Sequence, residues 1–128
     1  MKIILTKEES LEYFHNALCN AVGTGYIESH GIELTYSKDE YRLAKDKLEN
    51  PCFEEVLIQI LKDNGSLTLF DLEDEESENT KSITIDDVYE KVQNTPIRHL
   101  LNMIEGNDDV DTADAIIQTV FYDDIIFG

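Results

Sequence analysis

The apolar residues that follow Pro51 recur every three or four positions, and this spacing constrains the fold more than any other feature of the sequence. The repeating residues are Phe53, Val56, Leu57, Ile60 and Leu61. Such spacing places them on one face of an amphipathic helix. Asn50 followed by Pro51 is typical of an N-cap and a first helical position, and Asn64-Gly65 marks the end.

Similar patterns predict helices elsewhere in the chain. Capping boxes that begin at Thr6 and Ser37 open helices over residues 7–22 and 37–48. In the second half, Asp86-Asp87 offer N-cap carboxylates to a short helix. Thr95-Pro96 then begin a helix that ends at Gly106-Asn107, and Asp111 is predicted to cap a final one. Five or six helices are therefore expected.

Three segments alternate apolar and polar residues as half-buried strands do. They span residues 32–36, 66–72 and 81–85, and the acidic segment 73–80 is predicted to be an exposed hairpin loop between the last two. The apolar segment 125–127 is expected either to add a strand or to pack in the core. The patterns together predict an α+β fold with a small three- or four-stranded sheet.

The size and composition of the chain predict a single domain over residues 1–128. An apolar content of 41% is enough for one core, and no linker-like segment divides the chain. No apolar run approaches the roughly 20 residues needed to cross a bilayer. The N-terminal residues also lack the apolar core of a signal peptide. A cytoplasmic location is therefore expected.

Negative charge dominates the chain and is concentrated in its second half. The net charge is −18, and residues 63–128 hold 17 acids against 3 bases, whereas residues 1–62 hold 11 against 7. Such a surface repels nucleic-acid phosphates and membrane headgroups, and it attracts basic proteins. The sequence predicts no direct binding to nucleic acid or to membranes, and a basic protein as partner.

Two acidic stretches, residues 71–78 and 105–114, hold most of this excess. The predicted partner-binding residues are Asp71, Glu73, Asp74, Glu75, Glu76, Glu78, Glu105, Asp108, Asp109, Asp111 and Asp114. A solvated acidic surface that only aids solubility is the alternative interpretation.

Candidate metal sites in the sequence are incomplete. His15 and Cys19 stand four apart, as two ligands on one helix face would, but a second close-spaced pair is missing. Asn107, Asp109 and Asp111 resemble the start of a calcium loop, yet the required glycine and glutamate do not follow. No catalytic, cofactor or metal site is predicted, and the protein is expected not to be an enzyme.

The cysteines and histidines are assigned structural roles. Cys19 and Cys52 are each predicted to lie in a helix as buried free thiols, although a bridge between them is left open. His15, His30 and His99 are predicted to be surface or capping residues, because no nucleophile or acid is recognisably placed beside them.

Three segments of the chain carry a resemblance to a group of known proteins. They are Asn50–Leu57, Gln93–Pro96 and Gln118–Gly128. The chain is similar there to small acidic proteins of bacteriophages and related mobile elements. The resemblance implies a phage-type protein acting in the host cytoplasm, and it implies no functional residues.

The sequence favours a non-enzymatic protein that binds and inhibits a basic, nucleic-acid-handling host protein, with an anti-defence role as one version. Its carboxylates would stand in for phosphates. The alternative is a structural or accessory phage protein that assembles through its apolar C-terminal tail. An enzyme acting through aspartate or glutamate ranks third. The oligomeric state is not predicted.

Overall fold

The computed structural model describes residues 2–74, 76 and 78–128. The helices are α1 (Lys7–Ala17), α2 (Lys38–Asp46), α3 (Phe53–Lys62), α4 (Ile85–Lys91), α5 (Ile97–Ile104) and α6 (Val110–Tyr122). The strands are β1 (Ile32–Tyr36), β2 (Leu67–Asp71) and β3 (Lys81–Ile83). The predicted α+β fold is confirmed.

The three strands form one antiparallel sheet in the order β1-β2-β3. Leu69 of β2 pairs with Leu34 of β1, and Leu67 pairs with Ile83 of β3. Leu67, Leu69 and Ile83 are buried, because alternate residues of a strand point to the same face. The acidic segment connects β2 to β3, as predicted.

Helix α6 is the central element of the core. Every residue from Thr112 to Phe121 is buried, since α1, α4, α5 and β3 all contact this helix. A helix covered on all sides has no solvent-facing stripe for its polar residues. Its polar side chains must therefore find partners inside the protein.

Three helices begin at residues other than those predicted. Asn50 adopts a left-handed conformation with φ 47°, so Cys52 is the N-cap of α3. Thr84 caps α4, with Asp87 accepting a hydrogen bond from the Thr84 N–H at 2.9 Å. Asp109 caps α6 in place of Asp111. In each case the observed cap lies two or three residues from the predicted cap, because backbone conformation and reciprocal hydrogen bonds select the cap.

The first helix changes its hydrogen bonding at its end, and both cysteines are exposed. After Ala17 the chain continues as a π-helical turn over Leu18–Val22. Cys19 lies on the outer side of this turn, between the buried Leu18 and Ala21. Cys52 donates its Sγ–H to Glu55 at the start of α3, at 3.2 Å. Both thiols are free, and the prediction that they are buried is wrong.

None of the helices in the described part of the chain combines the length and the apolar character needed to span a membrane.

Candidate protein-interaction site

A short 3-10 turn, Tyr26–His30, lies between the π-helical turn Leu18–Val22 and β1. Gly25 and Gly31 flank it, with φ values of 78° and 79°. Only glycine adopts this left-handed conformation without strain, so the two glycines fix where the turn begins and ends. The turn is the point at which the two acidic stretches meet.

The second acidic stretch is joined to this turn by two side chains. The Tyr26 hydroxyl donates a hydrogen bond to Asp111 at 3.3 Å. His30 Nε2 lies 3.1 and 3.2 Å from the two carboxylate oxygens of Asp114. Both contacts connect residues more than 80 positions apart in the sequence.

The first acidic stretch lies at the His30 end of the same turn. The Leu72 N–H donates to the Gly31 carbonyl at 2.9 Å. A Cβ atom on Gly31 would lie only 3.2 Å from the carboxyl carbon of Glu73. His30 contacts Asp114, and the adjacent Gly31 accepts from Leu72, so the two stretches meet at this end of the turn. We call the surface that they form around the turn the acidic face.

Asp114 is not on the surface, contrary to its predicted role in partner binding. Its side chain is 11% exposed and that of His30 is 8% exposed. The Gln118 Nε2 also donates to Asp114, at 2.9 Å. Burial follows from its position on α6, and Asp114 serves as the internal partner of His30 and Gln118.

Asp71 is also buried, at the end of β2, whereas its predicted role in partner binding requires an exposed carboxylate. Its carboxylate accepts hydrogen bonds from the Glu73 N–H at 3.0 Å and from Asn79 Nδ2 at 3.3 Å. Burial, together with the nearby charge of Asp71, raises the pKa of Tyr122 to about 12. Asp71 therefore organises the base of the loop.

Three further predicted residues are engaged within the fold. Asp74 accepts the N–H groups of Glu76 and Asn79, at 3.0 and 2.9 Å. Asp108 accepts from Asn20 Nδ2 at 2.8 Å. Asp109 accepts the Thr112 N–H at 2.9 Å, and this hydrogen bond holds the pKa of Asp109 below its usual value.

The remaining predicted residues present exposed side chains at the acidic face. They are Glu73, Glu76, Glu78, Glu105 and Asp111. Glu75 lies outside the described residues. The ion pairs found in the described part of the chain with Lys or Arg involve Asp39, Asp63, Asp87 and Asp123. None of these is in either stretch, so none of the described ion pairs with Lys or Arg involves the exposed carboxylates of the acidic face.

A pocket of about 390 Å³ opens within the acidic face, between the turn, α5, α6 and the C-terminal tail. Its lining includes Tyr26, Arg98, Asp111, Asp114 and Phe127. Burial and the hydrogen bond to Asp111 raise the pKa of Tyr26, with further contributions from the charges of Asp114 and Asp109. The Tyr26 hydroxyl therefore lies in a negative field, even though Arg98 is part of the lining.

The C-terminal tail forms one wall of this pocket, and Phe127 packs against the core, whereas Ile125 and Ile126 are exposed and not in the core as predicted. Gln118 Oε1 accepts the N–H groups of Ile126 and Phe127, each at 2.8 Å. Gln118 Nε2 donates to the Phe127 carbonyl at 3.1 Å. The Phe127 ring stacks on His30, with a centroid distance of 5.4 Å. The tail is thus held by one buried side chain and not by a strand pairing.

Sequence reasoning placed His30 at the surface and missed its partner. The available signal was in α6, where Asp114 and Gln118 stand four apart within an otherwise apolar run. Polar residues at that spacing share a helix face, and a buried face requires partners for them.

The metal-site hypotheses from the sequence gain no support from the side-chain arrangement. Within residues 2–74, 76 and 78–128, no group of three or more His, Cys, Asp or Glu side chains is placed to hold an ion. Asp109 and Asp111 instead cap α6 and accept from Tyr26.

Comparison of the chain with known protein families, with curated proteins and with solved structures finds no match.

Proposed function

We propose that this chain is a non-enzymatic protein that binds and inhibits a basic, nucleic-acid-handling protein through its acidic face. The observation that carries the proposal is the meeting of the two acidic stretches at the Tyr26–His30 turn. Leu72 and Asp111 are distant in sequence, yet Leu72 bonds to Gly31 at the end of this short turn and Asp111 bonds to Tyr26 at its start.

The charge of this face suits a surface that normally binds phosphates. A single nucleic-acid strand carries one negative charge about every 3.4 Å, so a basic channel presents several cations at close intervals. Exposed carboxylates at Glu73, Glu76 and Glu78, with Asp111 bonded to the same turn, offer several negative charges on one surface. Carboxylates on a folded protein are not cut by a nuclease, so they could occupy such a channel persistently.

The partner would be reached by long-range attraction. Electrostatic steering raises the association rate of oppositely charged proteins, and this effect weakens as salt is added. The resemblance to phage proteins gives the setting of the proposal, which is a bacterial host cytoplasm with a host defence protein as one version of the target. The same charge disfavours direct contact with nucleic acid.

Assembly through the tail is a second candidate, favoured by the exposed side chains of Ile125 and Ile126. The tail backbone is already bound by Gln118, so only these two side chains are available to a neighbouring copy. Analytical ultracentrifugation separates the candidates, because assembly predicts a defined oligomer that Ile125→Ser/Ile126→Ser abolishes.

The decisive experiment is affinity capture of a partner from a bacterial lysate, followed by binding measurements on variants. Glu73→Gln/Glu76→Gln/Glu78→Gln removes three exposed charges from the acidic face. We expect its affinity to fall by more than tenfold, since close interfacial charge pairs couple by about 1.5 kcal/mol or more. Binding of the unmodified protein should weaken with added salt and compete with DNA or RNA.

Glu12→Gln/Asp46→Asn/Glu49→Gln is the matched control, because it removes the same charge from exposed positions on the first half of the chain. We expect it to weaken binding less than threefold. Equal effects of the two triple variants, or binding that does not depend on salt, would contradict the proposal.

A further inference from the structure

Helix α5 exposes a row of apolar side chains that nothing in the described structure covers. Ile97, Leu101 and Ile104 are 41%, 36% and 40% exposed. Their spacing of four and three residues places them on one side of the helix. Leu100 and Met103 of the same helix are buried in the core. The exposed row is therefore additional to the face that holds α5 in the fold.

The adjacent side of α5 belongs to the pocket of the acidic face. Arg98 and Asn102 line that pocket together with Asp109, Asp111 and Asp114. At about 100° per residue, Arg98 and Asn102 lie roughly 100° around the helix from the apolar row. One side of α5 is thus apolar and the next side faces carboxylates, within the width of a single helix.

A second copy of the chain does not suit this surface. Two chains of net charge −18 repel each other. A lipid surface is disfavoured for the same electrostatic reason. The complementary surface is one that joins apolar residues to positive charge.

We propose that α5 is the docking site for a basic amphipathic helix of the partner, whose apolar row covers Ile97, Leu101 and Ile104 while one of its Lys or Arg side chains enters the acidic pocket. The proposal rests on the proposed function and specifies the element of the partner that is bound. The alkyl stem of that side chain would lie against Ile125 and Phe127, and its charge would face Asp111. Apolar contacts and charge then act together, as in helix-in-groove recognition.

A designed peptide tests this without knowledge of the natural partner. The probe is a fluorescein-labelled 15-residue helical peptide with a leucine row at three- and four-residue spacing, flanked by lysines. One control peptide replaces each leucine by alanine, and another replaces each lysine by glutamate. We expect fluorescence anisotropy to show binding of the leucine-lysine peptide at least tenfold tighter than of either control.

Leu101→Gln removes the centre of the row, and Leu43→Gln is its matched control, because both leucines are exposed on helices. We expect the first variant to weaken peptide binding at least fivefold and the second to leave it unchanged, with both melting as the unmodified protein does. Should Leu101→Gln fail to fold, the single change Ile104→Gln gives the same comparison.

Four results would overturn the inference. They are no binding of the leucine-lysine peptide, equal binding of the alanine-lysine peptide, equal effects of the two leucine variants, and a dimer in sedimentation that Leu101→Gln dissociates. Equal binding of the alanine-lysine peptide, abolished by Glu73→Gln/Glu76→Gln/Glu78→Gln, would leave the proposed function intact. Failure of the proposed function would instead appear in measurements with the captured partner. Either the two triple variants would weaken its binding equally, or its binding would not depend on salt.

Discussion

The two acidic stretches have similar compositions but different relations to the fold. In residues 71–78 the buried Asp71 lies at the base of a hairpin loop, and Glu73, Glu76 and Glu78 are exposed. In residues 105–114 the chain enters the central helix, so the stretch ends in the buried pair of Asp114 and His30. Each stretch therefore buries one carboxylate, but Asp71 holds the base of a loop, whereas Asp114 lies within the central helix of the core.

The difference shows that the contribution of a carboxylate to stability depends on whether it lies in a loop or in a packed helix. A loop between two strands leaves its side chains in water, where a charge contributes little to stability. A helix packed on all sides carries its polar residues inside, where they need hydrogen-bond partners. Substitutions that are chemically alike should therefore have very different effects in the two stretches.

The largest effect is expected for Asp114→Ala. The change leaves His30 and Gln118 without their shared buried partner, and removing one member of such a buried network costs about 3 kcal/mol. Urea unfolding followed by circular dichroism measures the loss. Asp111→Ala, in the same stretch but exposed, should change the free energy of unfolding by less than about 0.5 kcal/mol. Similar losses for both variants would break the comparison.

A smaller and pH-dependent contribution to the free energy of unfolding is expected from Asp109. Its pKa is lowered in the folded protein because the Thr112 N–H donates to the carboxylate. The stabilisation is therefore present above the ordinary aspartate pKa of about 3.9, and it is lost as the pH falls through the lower folded value.

Asp109→Asn isolates this effect, since asparagine is an equally good N-cap that does not titrate. The melting temperatures of the two proteins should differ by no more than a few degrees at pH 7. Between pH 7 and pH 3 the variant should lose less of its melting temperature than the unmodified protein. An identical loss in both would show that the cap carboxylate does not contribute to acid sensitivity.

The smallest effect on stability is expected for Glu73→Gln/Glu76→Gln/Glu78→Gln. These side chains are exposed, so the melting temperature should stay within about two degrees, or rise slightly as repulsion falls. Differential scanning calorimetry at low salt measures the change. A fall of several degrees would show that the loop charges support the fold, and the contrast between the two stretches would be lost.

Much of the fold could be predicted because local patterns agree with the structure. The helical spacing after Pro51 and the alternation at residues 32–36 are patterns within a single element. The structure forms α3 and β1 at these two places. Helix starts were less predictable. Thr84 and Asp109 are the N-caps in place of the neighbouring acids. Hydrogen bonds determine this choice, and their geometry cannot be read from a sequence.

The candidate site was only partly predictable, for a physical reason. The sequence revealed the two acidic stretches, but their meeting depends on contacts between Tyr26 and Asp111 and between Gly31 and Leu72. Such long-range contacts follow from the packing of α6 against the turn. The burial of Asp114 follows from its place in α6 and that of Asp71 from its place at the end of β2, and a charge pattern alone cannot reveal either.

The Tyr26–His30 turn also couples folding to binding. Folding must bring two negatively charged stretches together at one short turn, so part of its driving force is spent against their repulsion. A basic partner that neutralises this face removes that repulsion only in the folded state. By thermodynamic linkage the partner is then also a stabilising ligand, and its presence raises the free energy of unfolding as its concentration exceeds its Kd. A rise in melting temperature would therefore identify a genuine partner among candidate basic proteins.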